Sequence, residues 1–196
     1  MTNLEKLYNE ILQERPWIKE ISWQKEFLLR EDLLNASKLV LGAGTSSGKT
    51  ITELFKLEMF YRSEENKSKR SLVIPASMTN LKENFRENLE QFNPSFSYCI
   101  VDEGQELRDA IIDGCDVIIA LPMTVKNNLN DLPHFHNFVL DEAHEWYFAD
   151  TIKDILKKIK PNHQTLLTGT PFEFTRKADK DGFTMYYVPV MDLFEE

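Results

Sequence analysis

The sequence predicts an α/β fold: an open, mostly parallel sheet with helices on both faces. Short apolar runs alternate along the chain with longer amphipathic stretches. Several of the runs lack polar alternation, which is the pattern of strands buried on both faces. At 196 residues, 42% of them hydrophobic and 28% charged, the chain is long and apolar enough to close one sizeable core.

From the amino end, residues 2–12 and 22–34 read as two helices separated by Pro16, with Ser22 as the cap of the second. The first strand follows at 38–41 (KLVL), and a Gly-rich turn then leads into a helix at 49–61. Further strands are expected at 71–74 (SLVI), 97–101 (SYCIV), 116–120 (DVIIA), 138–140 (FVL), 164–167 (QTLL) and 185–188 (MYYV). Between them, a helix at 79–91 carries Leu81, Phe85 and Leu89 at four-residue spacing. Another at 151–159 carries Ile152, Ile155, Leu156 and Ile159 on one stripe. Shorter helices are expected at 106–112 and 124–129, and exposed loops at 62–70 (RSEENKSKR) and 172–182 (FEFTRKADKDG). The expected organisation is a helical segment over 1–36, an α/β domain over 37–188 and a tail over 189–196.

Composition removes several function classes. No apolar run approaches the ~20 residues that span a bilayer, and the amino end is too charged for a secretory signal. Cys99 and Cys115 make neither a disulfide framework nor a zinc motif, so a reducing, cytoplasmic setting is expected. The net charge of −9 argues against a surface that is basic all over, but leaves room for a local phosphate-binding groove.

The first chemical signal is Gly42-Ala43-Gly44-Thr45-Ser46-Ser47-Gly48-Lys49-Thr50, between a strand and a helix. That is the context a P-loop requires, although the strict pattern places Gly where Ala43 stands. Small residues let the backbone wrap a phosphate chain, with Gly44, Thr45, Ser46, Ser47 and Gly48 offering N–H groups near the helix N-terminus. Lys49 would reach the β- and γ-phosphates of a nucleotide such as ATP, and the Thr50 hydroxyl would bind Mg²⁺. The second signal is an apolar strand ending in Asp141 and Glu142. Adjacent carboxylates there divide two tasks of phosphoryl transfer to water: Asp141 toward Mg²⁺, and Glu142 toward the attacking water as base.

With Asp141-Glu142-Ala143-His144 downstream of the P-loop, and Thr168-Gly169-Thr170-Pro171 directly after a later strand, the chain resembles the first RecA-like domain of superfamily 2 DEAD/DEAH-type helicases. The resemblance covers almost the whole chain. It implies a RecA-like P-loop fold that binds ATP and Mg²⁺ and couples hydrolysis to work on a nucleic acid, DNA or RNA. It further implies that Gln24, beside Trp23, reads adenine, with Arg15 and Lys25 as nearby alternatives for base or ribose contacts. His144, Thr168 and Thr170 would couple hydrolysis to strand movement, although a turn or capping role serves the TGTP hydroxyls equally well.

The loops at Pro75, Ala76 and Ser77, and at Pro122 and Thr124, resemble the family's backbone-gripping motifs. Leu121 stands where Thr is common. Ser77, Thr79, Asn80 and Thr124 could donate to phosphates or cap helices. His134 and His136 lack a third ligand, so surface or packing roles are expected. Trp146, Tyr147 and Phe148 are expected to pack a helix on the sheet.

Enzymes of this superfamily place ATP between two RecA-like domains, the second supplying arginines. Only Arg176 follows the DEAH residues, and 186–196 resemble the stretch that leads into that second domain. The expectation is a first-domain fragment or a truncated natural protein that alone turns ATP over slowly, if at all. A non-catalytic single-domain regulator of the same fold and the motor of a restriction or remodelling enzyme are the alternatives.

Overall fold

The computed structural model describes residues 2–44, 47–77, 85–169 and 172–188. Among these, seven strands form one sheet: β1 (Lys38–Gly42), β2 (Ser71–Ile74), β3 (Tyr98–Val101), β4 (Val117–Ala120), β5 (Asn137–Leu140), β6 (His163–Thr168) and β7 (Thr184–Tyr187). Their order is β3-β4-β2-β5-β6-β1-β7, and every pairing is parallel. Each apolar run expected to be a strand is one, to within a residue or two at its ends.

Ten helices surround the sheet among the described residues: α1 (Asn3–Glu14), α2 (Ser22–Leu28), α3 (Glu31–Leu34), α4 (Lys49–Tyr61), α5 (Arg86–Phe92), α6 (Gly104–Asp113), α7 (Pro122–Asn127), α8 (Ala143–Trp146), α9 (Asp150–Ile159) and α10 (Phe172–Lys180). Strand side chains alternate between two cores. Leu39, Leu41, Val73, Val139 and Leu167 face the layer of α1, α2, α4 and α5. Val40, Leu72, Ile74, Phe138 and Leu166 face α6, α7, α9 and α10. Period-two alternation with both faces covered explains why these strands read as continuous apolar runs. Tyr8, Ile11, Trp23 and Phe27 of the N-terminal helices lie in the same core as α4.

Several expectations are corrected. Residues 172–180 form α10 rather than a loop, because Phe174 and Ala178, four apart, give that polar stretch a buried stripe. The helix expected over 22–34 is broken at Leu29 and Arg30 into α2 and α3. Ser22 is the first residue of α2 and makes no capping bond, since Ile21 holds the cap position. On α1, by contrast, Thr2 and Glu5 close a reciprocal capping box. The helix expected over 79–91 is described only as α5, and Leu81 lies outside the described residues, as does the tail at 189–196.

Cys99 and Cys115 are joined in a disulfide, with their Cα atoms 6.2 Å apart. The pairing follows from the adjacency of β3 and β4, which their separation of 16 residues does not disclose. With the sulfurs paired, cysteine usage no longer argues for a reducing compartment. No helix of the described residues is long and apolar enough to cross a membrane.

One buried carboxylate ties the helical layer together. Glu58 of α4 is fully buried and accepts from Arg15 at 3.2 Å, Arg62 at 2.9 Å and the Ser95 backbone N–H at 2.8 Å. Arg15 also donates to the Phe92 and Asn93 carbonyls at 2.7 and 3.0 Å and lies 4.3 Å from the centre of the Phe92 ring. Removing one partner of such a set strands the others. Glu58→Ala is therefore expected to cost about 3–5 kcal/mol in urea unfolding. Glu14→Ala, which removes an exposed partner of the same arginines, is expected to cost about 1 kcal/mol or less.

Candidate functional site

Because all strands are parallel, their carboxyl ends share one rim of the sheet, the position where α/β folds build sites. β1 ends at Gly42 and runs into the Gly-rich loop. Gly48, the N-cap of α4, has φ +86°, a conformation that favours glycine, and a Cβ there would lie 2.5 Å from Gln24 Nε2. Lys49 opens α4 and is buried; its ammonium donates to the Ala43 and Gly44 carbonyls at 2.8 and 2.9 Å, which holds it over the loop. Burial pulls the Lys49 pKa below its usual range, and the nearby Glu142 and Asp141 charges pull it back up. The Ser47 hydroxyl is buried with no hydrogen-bond partner among the described residues. Such an unmet donor is one that a phosphate oxygen would satisfy. Thr50 follows in the first turn of α4.

Two strands away from β1, β5 ends in Leu140, and the Asp141 N–H extends the ladder by donating to Ile74 O at 2.9 Å. Asp141 is buried. Glu142 takes a left-handed conformation, φ +46°, at the N-cap of α8. This turn separates the two carboxylates: one stays against the sheet, while Glu142 is half-buried and reaches toward β6. Its Oε2 accepts from the Gly169 N–H at 3.4 Å and lies 3.4 Å from His144 Nδ1. His144 Nδ1 is in turn 3.1 Å from Thr168 Oγ1, at the buried end of β6. The expected link between the DEAH histidine and the TGTP threonine is therefore made by Thr168. Thr170, Thr45 and Ser46 lie outside the described residues, as do Thr79 and Asn80. The Gly169 backbone N–H is a partner of Glu142 that no side-chain motif discloses.

Gln24 is buried against the loop, its Nε2 donating to Gly48 O at 3.3 Å. The two alternatives to it are not brought there. Arg15 is committed to Glu58, and Lys25 pairs with Glu20 on the surface at 3.0 Å. Pro75, Ala76 and Ser77 follow β2, and Pro122 and Thr124 begin α7 after β4, so both loops occupy the same rim on the other half of the sheet. The Thr124 hydroxyl donates to Asp102 O at 2.9 Å, which gives it a role in joining α7 to the end of β3. Trp146, Tyr147 and Phe148 pack against the α9–α10 side of the core, as expected for packing residues. His134 bonds Ile159 O and Asn162, and His136 stacks on Phe60.

The chemistry of the donor set fits Mg²⁺. Among the described residues, no group of three or more His, Cys, Asp or Glu side chains is placed to hold a metal. Mg²⁺ asks for less, since one or two carboxylates, a hydroxyl, waters and phosphate oxygens complete its shell.

A family model, DEAD/DEAH box helicase, matches residues 24–177. The chain belongs to the DEAD/DEAH box helicase family. This helicase-family domain is similar in structure to the Pyrococcus furiosus Hef helicase domain, with TM-score 0.69 at 18% identity over 91% of this chain and 40% of that one. It is also similar to the Sulfolobus solfataricus SWI2/SNF2 ATPase core, solved in complex with dsDNA, with TM-score 0.57 at 18% identity over 84% of this chain and 32% of that one. At such identity the likeness shows the fold, a RecA-like helicase core, of which this chain spans well under half the length. No curated protein matches it by sequence.

The contact between His144 and Thr168 can be broken without changing volume. Thr168→Val is expected to move the His144 ring nitrogen signals in long-range ¹H–¹⁵N spectra while leaving the fold intact, because the half-buried imidazole can take water instead. Unchanged ring signals would show that the two side chains do not meet.

Proposed function

We propose that the chain is the ATP-binding first domain of a superfamily 2 helicase or translocase, which couples ATP hydrolysis to unwinding or remodelling of a nucleic acid. The observation that carries the reading is the division of one sheet rim into two neighbouring halves. The Gly-rich loop, Asp141-Glu142 and Thr168 occupy the β1–β6–β5 half, and the 75–77 and 122–124 loops occupy the β2–β4 half. A nucleotide and a strand of nucleic acid then sit on one rigid edge, a short distance apart.

In this reading, Gly44, Thr45, Ser46, Ser47 and Gly48 cradle the phosphate chain with backbone N–H groups, and Gln24 reads the adenine edge. Lys49 leaves its two carbonyl partners for the β- and γ-phosphates, exchanging neutral acceptors for charged ones. Thr50 and Asp141 would hold Mg²⁺, which would supply positive charge against the phosphates. Glu142 accepts a proton from the attacking water; the Gly169 N–H and His144 orient its carboxylate. The contacts from Glu142 through His144 to Thr168 tie the carboxylate to the strand that roots the phosphate loop, and in this reading His144, Thr168 and Thr170 couple hydrolysis to movement of a strand bound on the β2–β4 half. Pro75, Ala76, Ser77, Pro122 and Thr124 shape that half, which grips sugar and phosphate without reading sequence. The second RecA-like domain belongs to the whole enzyme and supplies arginines worth on the order of 10³–10⁵ in rate.

Lys49→Ala is expected to abolish ATP binding in calorimetry; unchanged affinity would remove the phosphate loop from the mechanism. In a protein that includes the second domain, Glu142→Gln is expected to bind ATP normally and lose at least about 10²-fold in turnover. Normal turnover would assign the base elsewhere. Nucleic-acid binding by this chain alone is expected to be weak and to fall steeply with salt, given its net charge of −9.

A further inference from the structure

The strand β7, at one edge of the sheet, ends in two tyrosines whose side chains point to opposite faces. It runs parallel to β1, with Tyr186 opposite Leu41 and Tyr187 opposite Gly42. The Val188 N–H continues the ladder by donating to Gly42 O at 2.8 Å. β7 therefore ends on the rim that carries the Gly-rich loop, and each tyrosine meets a different part of it.

Tyr187 lies on Gly42. A Cβ at Gly42 would stand 2.5 Å from Tyr187 Cε1 and closer still to Cδ1, so the ring occupies the place of a side chain. Gly42 is not among the glycines with positive φ, so what it supplies is room rather than backbone freedom. The root of the loop is thereby enclosed on three sides. Val188 N–H holds the Gly42 carbonyl, Thr168 O holds the next N–H at 3.1 Å, and the ring covers the α-carbon. Tyr187 is 38% exposed and lies outside both cores, so core packing does not account for an aromatic ring at this position.

Tyr186 turns to the other face. Its hydroxyl donates to Trp23 O at 3.3 Å, and its ring centre lies 5.3 Å from that of Phe27. Both partners belong to α2, the short helix that carries Gln24 and has no side-chain cap of its own. Gln24 is in turn the residue that reaches Gly48 O.

We propose that Tyr186 and Tyr187 are positioning residues of the nucleotide site: Tyr187 holds the root of the phosphate loop, and Tyr186 sets the helix that presents Gln24 to the base. The inference rests on the nucleotide site proposed above. Each tyrosine acts through another residue, Gly42 on one face and Gln24 on the other, so the two govern different parts of the same ligand.

Calorimetric affinities for ATP and for tripolyphosphate, which has no base, separate the two arms. Tyr187→Thr keeps a strand-forming side chain on the edge and removes the ring. It is expected to weaken both ligands by the same factor, at least about threefold, whereas Tyr187→Phe should bind both as the unaltered chain does. Gly42→Ala, which displaces the ring, should weaken both ligands similarly. Adding Tyr187→Thr to it should cost nothing further, because both changes remove one contact. Tyr186→Phe removes only the bond to Trp23 O; it is expected to weaken ATP by about threefold or more and leave tripolyphosphate unchanged. Unchanged affinities in Tyr187→Thr or in Tyr186→Phe, equal losses for both ligands in Tyr186→Phe, or losses that add in the Gly42→Ala, Tyr187→Thr pair would each overturn the proposal while leaving the nucleotide site in place. Failure of the unaltered chain to bind either ligand would instead remove the nucleotide site, and the proposal with it.

Discussion

The parallel pairing of β1 with β6 is the contact on which the rest of the site depends. It sets Gly42 opposite Thr168, and the ladder continues past the strand end with the Ala43 N–H donating to Thr168 O at 3.1 Å. One residue thereby serves both arms of the site. The backbone of Thr168 fixes the root of the phosphate loop, and its hydroxyl meets the histidine that neighbours Glu142. A register slip of one residue would turn Thr168 to the other face and separate the loop from the carboxylates.

Electrostatics follows from that frame. Burying Lys49 is unfavourable on its own, and two loop carbonyls with two nearby carboxylates make it tolerable. Those contacts hold the ammonium over the Gly-rich loop. Glu142 is kept apart from Asp141 by its left-handed backbone, so adjacent residues occupy different environments: one buried against β2, the other half-buried and bridged to β6. Strain at a single residue is a modest cost for placing two adjacent carboxylates in separate environments.

Most of the frame was legible because the relevant signals are local. Both-face burial makes strands such as 71–74 and 117–120 uninterrupted apolar runs, and the loop and DEAH residues are contiguous in the chain. What escaped depends on partners distant in sequence. The charge of Arg15 suggested a ligand contact, but its partners are Glu58 and Phe92, 43 and 77 residues away. The disulfide needed the adjacency of β3 and β4, and α10 was hidden because only Phe174 and Ala178 mark its buried side. The Gly169 N–H that meets Glu142 belongs to the backbone, where residue identity carries no signal.

The claim that Lys49, Thr50 and Asp141 form one Mg²⁺–nucleotide site is tested most directly by calorimetric titration of ATP with and without Mg²⁺, on the chain as it stands and on Asp141→Asn. The unaltered chain should bind ATP more tightly when Mg²⁺ is present, and Asp141→Asn should lose most of that difference while keeping its Mg²⁺-free affinity. An equal dependence on Mg²⁺ in both proteins, or no ATP binding by the unaltered chain, would contradict the assignment.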